Sequence, residues 1–126
     1  MKRLVQITEI KEVVTFAHST AKKVDLGISY EHALLECVAL ADVLETESLR
    51  HIDRKGRNNP DLFARKLLDK FNDFAQLHQT RANKGYNLEL NHKQISASNL
   101  ILEAVGYAHV LVTEHRATYY PKANNR

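Results

Sequence analysis

Between Pro60 and Ala82 apolar side chains return at every third or fourth position, and no other feature limits the fold of this chain as strongly. Phe63, Leu67, Phe71, Phe74 and His78 share one face, widened by Ala64, Leu68 and Ala75, while Arg65, Lys66, Asp69, Lys70, Asn72, Asp73 and Gln76 take the other. A single helix of this kind is marginal in water, so its stripe has to be covered by other elements. The aromatic residues in it read as core. The start is marked locally. Asn59 is a good N-cap, Pro60 suits the first helical position where a missing N–H costs nothing, and Asp61 places negative charge beside the helix N-terminus. A helix is predicted over 60–82, with Gly85 as its stop.

The same period recurs three more times. From Thr8, a candidate N-cap, the positions Ile10, Val13, Val14, Ala17, Ala21 and Val24 predict a helix over 8–26 that ends near Gly27. Residues 1–7 are undecided between a short extended segment and a helix start. Ser29 reads as the cap of a helix over 29–55, with Glu31 in its first turn and a stripe through Leu34, Cys37, Val38, Ala41, Leu44, Ser48 and Ile52. Leu35, Leu40 and Val43 lie outside that stripe, so this helix is expected to be central and touched on more than one side. Residues 83–95 lose the period, and the alternation of Tyr86, Leu88 and Leu90 allows a brief strand. Ser96 or Ser98 then caps a helix over 96–119 carrying Ile101, Ala104, Val105, Ala108, Leu111, Val112, His115 and Tyr119. Pro121 ends it, leaving 120–126 as a tail.

Four Gly and two Pro are too few for a fold with many tight turns. With 126 residues and 44% hydrophobic content, the expectation is one all-α domain over 1–126, a four-helix antiparallel bundle or close relative. Two protomers completing a shared core fit the pattern equally well. No unbroken run of about 18 apolar residues occurs, so no membrane span is expected. Glu9, Lys11 and Glu12 interrupt any leader-like run at the N-terminus. The lone Cys37, among apolar neighbours, reads as a small buried hydrophobe, and a cytoplasmic setting follows.

Charge is distributed unevenly. Residues 31–49 carry five acidic side chains (Glu31, Glu36, Asp42, Glu45, Glu47) and no Lys or Arg. The stretch from Arg50 to Lys70 then holds seven basic residues (Arg50, Arg54, Lys55, Arg57, Arg65, Lys66, Lys70) against Asp53, Asp61 and Asp69, a balance of +4 beside a whole-chain +3. An acidic region next to a basic one suits selective docking or self-association better than indiscriminate polyanion binding.

Nucleotide-cradling glycine loops, nucleophile elbows and zinc-binding Cys or His spacings are all missing. The one Glu-x-x-His, Glu89 to His92, falls in the irregular connection, whereas di-iron bundles need it on facing helices. His78 and His115 fall on apolar faces, where a satisfied core or rim histidine outweighs a metal ligand. Asp42 and Glu45 interrupt the apolar arc of the second helix. They are expected either at its solvated edge or paired with an Arg or Lys from another helix. Helical ribonuclease domains place His shortly after Arg, and Arg116 is followed by Ala117, Thr118, Tyr119 and Tyr120 instead.

One alternative uses carboxylates. Glu9 and Glu12 stand one turn apart, as do Asp42 and Glu45, and such pairs on adjacent helices can hold Mg²⁺. This layout, with the phrase ECVALADVLE at 36–45, resembles the all-helical nucleotide pyrophosphohydrolases of the MazG type over about a sixth of the chain. That resemblance implies a metal-dependent hydrolase. The departure is specific: the family pattern is Glu-x-x-Glu followed by Glu-x-x-Asp, whereas the second pair here is Asp42-Val-Leu-Glu45, with Glu36 six residues before Asp42.

The leading expectation is a small non-enzymatic regulatory or accessory protein without cofactor. Its basic helix-loop-helix surface would meet a protein partner or a nucleic-acid backbone, and a homodimer is compatible.

Overall fold

The computed structural model describes residues 2–52, 60–83, 85 and 90–120, with side chains described in those ranges except at 2–6 and 50–52. Four helices account for the architecture: α1 Lys2–Lys23, α2 Ile28–Ile52, α3 Pro60–Asn83 and α4 His92–Tyr119. Among the described residues there is no strand. The alternation at Tyr86 and Leu88, the N-cap expected at Asn59 and the stop expected at Pro121 lie outside them.

Each helix packs against two others, α1 against α2 and α4, and α3 against α2 and α4. The core is a set of stripes meeting along the middle: Ile10, Val14 and Ala17 from α1, Leu34, Cys37 and Leu44 from α2, Leu67, Phe71 and Phe74 from α3, Ile101, Val105 and Val112 from α4. The period in the sequence reports this stripe, and its apolar area is the main favourable term in folding. α2 is touched on two sides, by α1 and α3, and Leu40 packs against the core, whereas Leu35 and Val43, 49% and 37% exposed, face outward.

The ends of the helices differ from expectation for identifiable reasons. α1 begins at Lys2 rather than Thr8. It stops at Lys23, because Asp25 takes a left-handed conformation at φ 54°. The Leu26 amide then bonds back to Ala21 O (3.1 Å) and the Asp25 amide to Lys22 O (3.3 Å), while Leu26 tucks into the core. This is a Schellman closure with Asp in the position glycine prefers. α2 starts at Ile28 with Gly27, not Ser29, as its cap, since Gly27 O accepts the first helical bond from the Glu31 amide.

α4 starts four residues before Ser96. Asn91 Oδ1 accepts from the Gln94 amide (2.9 Å) and Gln94 Oε1 from the Asn91 amide (3.0 Å), a complete capping box. Gln94 Nε2 also donates to Val24 O and Asp25 O, both at 3.1 Å, which ties the start of α4 to the end of α1. Ser98, expected as a cap, is instead buried inside the helix.

By length and composition α4 could cross a bilayer, with mean hydropathy 1.4 over an 18-residue window that holds few charges. In this fold its Ile101, Val105, Ala108, Leu111 and Val112 are core residues.

Two stability changes follow. Asp25→Gly should raise stability by about 0.5–1 kcal/mol by relieving the left-handed position. Phe74→Ala, which empties a fully buried site stacked edge-on against Tyr30 at 5.0 Å, should cost about 3–5 kcal/mol. Urea unfolding read by circular dichroism measures both.

Candidate functional site

Polar side chains collect at the two ends of the apolar core. At one end, where α2 starts, α3 finishes and α4 starts, Tyr30, His78 and Ser98 form a closed triangle. The Tyr30 hydroxyl is bonded to His78 Nδ1, with Ser98 Oγ at 3.3 Å from each. Tyr30 and Ser98 are buried and His78 half-buried. Burial, and then the positive field of Arg81, lower the His78 pKa, so a neutral imidazole accepts at Nδ1. Desolvation raises the Tyr30 pKa. The Arg81 guanidinium lies over the Tyr30 ring, 4.3 Å from its centroid. Ser98 is 4% exposed and two hydroxyls share one imidazole nitrogen, so the triangle acts as a lock between helices rather than as an activated nucleophile.

At the other end, Asp61 in the first turn of α3 has no exposure and is held by α4: Arg116 Nε donates at 2.6 Å and Nη2 at 3.2 Å. Arg65 adds a contact at 3.3 Å. His115, the neighbour of Arg116, is 1% exposed and neither of its ring nitrogens has a hydrogen-bond partner. Tyr119 and Tyr120 pack on it with centroids at 4.8 and 5.7 Å. Burial depresses its pKa to about 4, against the opposing pull of the Asp61 carboxylate. His78 and His115 therefore serve opposite ends and do not meet.

Three of the four carboxylates singled out in the sequence, Glu9, Asp42 and Glu45, have protein partners, and Glu12 is exposed. Lys11 Nζ sits 2.8 Å from Asp42 Oδ1 and 3.3 Å from Glu45 Oε1, and both contacts raise the lysine pKa. Of the two expectations, a solvated edge or pairing with a basic residue of another helix, the pairing is met by Lys11, while Asp42 is also 57% exposed at the edge. Glu9 accepts a hydrogen bond from the Tyr107 hydroxyl on α4. The ammonium of Lys11 occupies the place between two carboxylates where a divalent cation would bind. Among the described residues no group of three or more His, Cys, Asp or Glu converges on a common point. Cys37 is buried and its thiol is pushed up to about 12 by desolvation, so it is inert at neutral pH.

Of the seven basic residues, Arg54, Lys55 and Arg57 lie outside the described residues, and Arg50 is placed in the last turn of α2 by its backbone alone. The remaining three are on α3. Arg65 reaches back to Asp61, Lys66 lies 5.8 Å from the centroid of the Phe63 ring, and Lys70 pairs with Glu36 of α2 at 2.7 Å. Lys66 and Lys70, with Glu36, Asp69 and Asp73, rim a groove of about 490 Å³ between α2 and α3, whose floor is Ala39 and Leu40.

Several residues that organise these sites were given no such role by sequence reasoning: Lys11, Tyr30, Arg81, Tyr107 and Ser98, the last expected as a cap. Each finds its partner on another helix, and spacing within one helix carries no signal of that. Asn91 and Gln94 carry a signal, Asn-x-x-Gln ahead of an apolar run, that the choice of Ser96 or Ser98 as cap passed over.

His115 generates a pH prediction. Its folded pKa lies below that of the unfolded chain, so the unfolded state gains a proton first as pH falls. Stability should therefore drop from about pH 6.5 toward pH 4. His115→Leu should remove that part of the slope and be neutral or stabilising by about 1 kcal/mol at pH 7, because it deletes two unpaired buried nitrogens. Urea midpoints of both proteins across this range provide the measurement.

No protein-family model matches the chain, and comparison with curated proteins and with solved structures finds no similar protein.

Proposed function

We propose that the chain is a small non-enzymatic regulatory or accessory protein of the cytosol that docks a partly apolar protein segment on the outer face of α2 and α3. We further propose that the four helices run antiparallel to their neighbours. Supporting that order, α2 meets α3 through both Glu36–Lys70 and Tyr30–His78, so a step backward on α2 is a step forward on α3. The start of α3 meets the end of α4 at Asp61–Arg116, and the end of α3 meets the start of α4 at His78–Ser98.

The observation that carries the docking reading is the α2–α3 groove. Its floor of Ala39 and Leu40 is apolar, and Lys66 and Lys70 share its rim with Glu36, Asp69 and Asp73. Seven residues from the Glu36–Lys70 pair, in opposite directions along the two helices, Val43 comes level with Phe63 and its neighbour Leu62. Val43 and Leu62 are 37% and 41% exposed. Exposed apolar residues on both lips of one groove mark a contact surface better than isolated ones do. Arg50, Arg54, Lys55 and Arg57 follow in sequence where α2 leaves this surface, and a nucleic-acid backbone is the other partner they would suit.

The alternative, a metal-dependent nucleotide hydrolase using Glu9, Glu12, Asp42 and Glu45, requires Lys11 to give way to Mg²⁺. It has less support, since that ammonium already offsets two of the four carboxylates.

A tagged chain recovered from its native cells should bring down a protein that Val43→Glu with Lys66→Glu loses. Duplex DNA should bind no more tightly than the roughly 10⁻⁴–10⁻⁶ M of non-specific contact. Retention of the partner by the double variant removes the docking reading. Tight duplex binding that weakens steeply with salt moves the function to nucleic acid. Millimolar Mg²⁺ or Mn²⁺ should leave the melting temperature unchanged, whereas a rise that Glu12→Ala abolishes supports the hydrolase instead.

A further inference from the structure

Two helices carry a second stripe that the core does not use. On α4 it runs through Lys93, Leu100, Glu103, Tyr107, Val110 and Glu114, in steps of three, four or seven residues. On α1 the same steps link Glu9, Glu12, Phe16 and Lys23. Phe16, Leu100, Tyr107 and Val110 are 48%, 45%, 48% and 51% exposed. Two contacts set the level of one stripe against the other, on the antiparallel order proposed above. Glu9 accepts from the Tyr107 hydroxyl, and Gln94 Nε2 reaches Val24 O and Asp25 O. Two turns on from Glu9, Phe16 stands level with Leu100, and two turns further Lys23 stands level with Lys93. The stripes form one face, opposite the α2–α3 groove.

This face lacks cover. An 18-residue window of α4 has a mean hydropathy of 1.4, yet 39% of it is buried. A helix apolar around so much of its circumference packs on all sides, whereas α1 and α3 reach only the inner sides of α4. The charges indicate what supplies the rest. Glu9, Glu12 and Glu114 stand toward the start of α1, and Glu114 lies near enough to Tyr107 to help hold its phenolic proton. Lys23 and Lys93 stand toward the other end. Among the described residues Glu12, Glu114, Lys23 and Lys93 form no ion pair. A bilayer offers carboxylates set among apolar residues no partner. A protein surface with base opposite acid and acid opposite base does, and this same face turned end for end is such a surface.

We propose that two copies of the chain pair through their α1–α4 faces, about a two-fold axis perpendicular to the helices. Phe16 meets its counterpart at the axis. Lys23 and Lys93 of each copy then lie opposite Glu9 and Tyr107 of the other, flanked by Glu12 and Glu114. An axis along the helices would set the acidic ends together instead. With α1 22 residues long, the face measures about 33 Å by about 20 Å, roughly 660 Å² in projection and close to the ~800 Å² per partner of a stable interface. The four core stripes already close on one another, so the pairing completes no shared core, and it leaves the α2–α3 groove open.

Sedimentation equilibrium of the full-length chain over a concentration series tests this. Wild type should pass from monomer to dimer between micromolar and millimolar concentration. Phe16→Gln, at a half-exposed side chain, should keep the melting temperature and weaken the dimer about tenfold or more. Glu12→Lys and Lys23→Glu should each weaken it too, because each sets like charges together on both sides of the axis. An equimolar mixture of these two variants should regain the dimer, since every such pair is then of opposite sign. Three results overturn the proposal: a monomeric wild type at millimolar concentration, Phe16→Gln pairing as tightly as wild type, or a mixture no tighter than its separate components. A monomeric wild type that floats with phosphatidylcholine vesicles, or holds a different protein that Phe16→Gln loses, also overturns it and gives the face to that occupant.

Discussion

A carboxylate with no exposure is tolerated only where cations reach it, and Asp61 is such a carboxylate. Its partner Arg116 lies 55 residues away on α4, so the pair fixes the end of α4 against the start of α3. Removing either member would leave a buried charge without compensation, which typically costs about 3–5 kcal/mol. Apolar stripes alone bring helices together but tolerate sliding by a turn, whereas a bidentate contact of 2.6 and 3.2 Å is satisfied in one register only. The Tyr30–His78–Ser98 triangle performs the same service at the opposite end of α3.

The interior is thus divided. A central block of Leu, Ile, Val, Phe and small residues supplies most of the burial, and two polar locks at its ends supply the specificity. His115 is the exception, a buried histidine beside the Asp61 lock with neither nitrogen bonded. It makes this end of the molecule more sensitive to acid than the other.

The surface divides in a corresponding way. At the α1–α2 seam, Lys11 pairs with both Asp42 and Glu45, leaving one negative charge in excess. At the α2–α3 seam, Lys66 and Lys70 rim a groove with an apolar floor, flanked by Val43 and Leu62. Lys70 is itself paired with Glu36, so what that groove leaves for contact is chiefly its apolar surface.

The chain by itself determined four helices and the residues that face their common core, because burial enforces a 3.6-residue period that reads directly from Leu67, Phe71 and Phe74 or from Ile101, Val105 and Ala108. Pro60 as the first residue of α3, the left-handed Gly85 beyond its end and the inertness of Cys37 were also legible, since each depends on local chemistry. Several helix boundaries were displaced, among them the start of α1, at Lys2 rather than Thr8. A left-handed Asp25 ended α1, Gly27 took the cap of α2, and the Asn91–Gln94 box was masked by polar residues that resemble loop. Which polar residues matter was decided by tertiary structure alone. Asp61, Arg116, Tyr30, Ser98, Arg81 and Lys11 look like ordinary surface or cap residues in the sequence. They acquire their roles from partners 31 to 68 positions away, and only the packing of one helix on another brings such pairs within hydrogen-bond range.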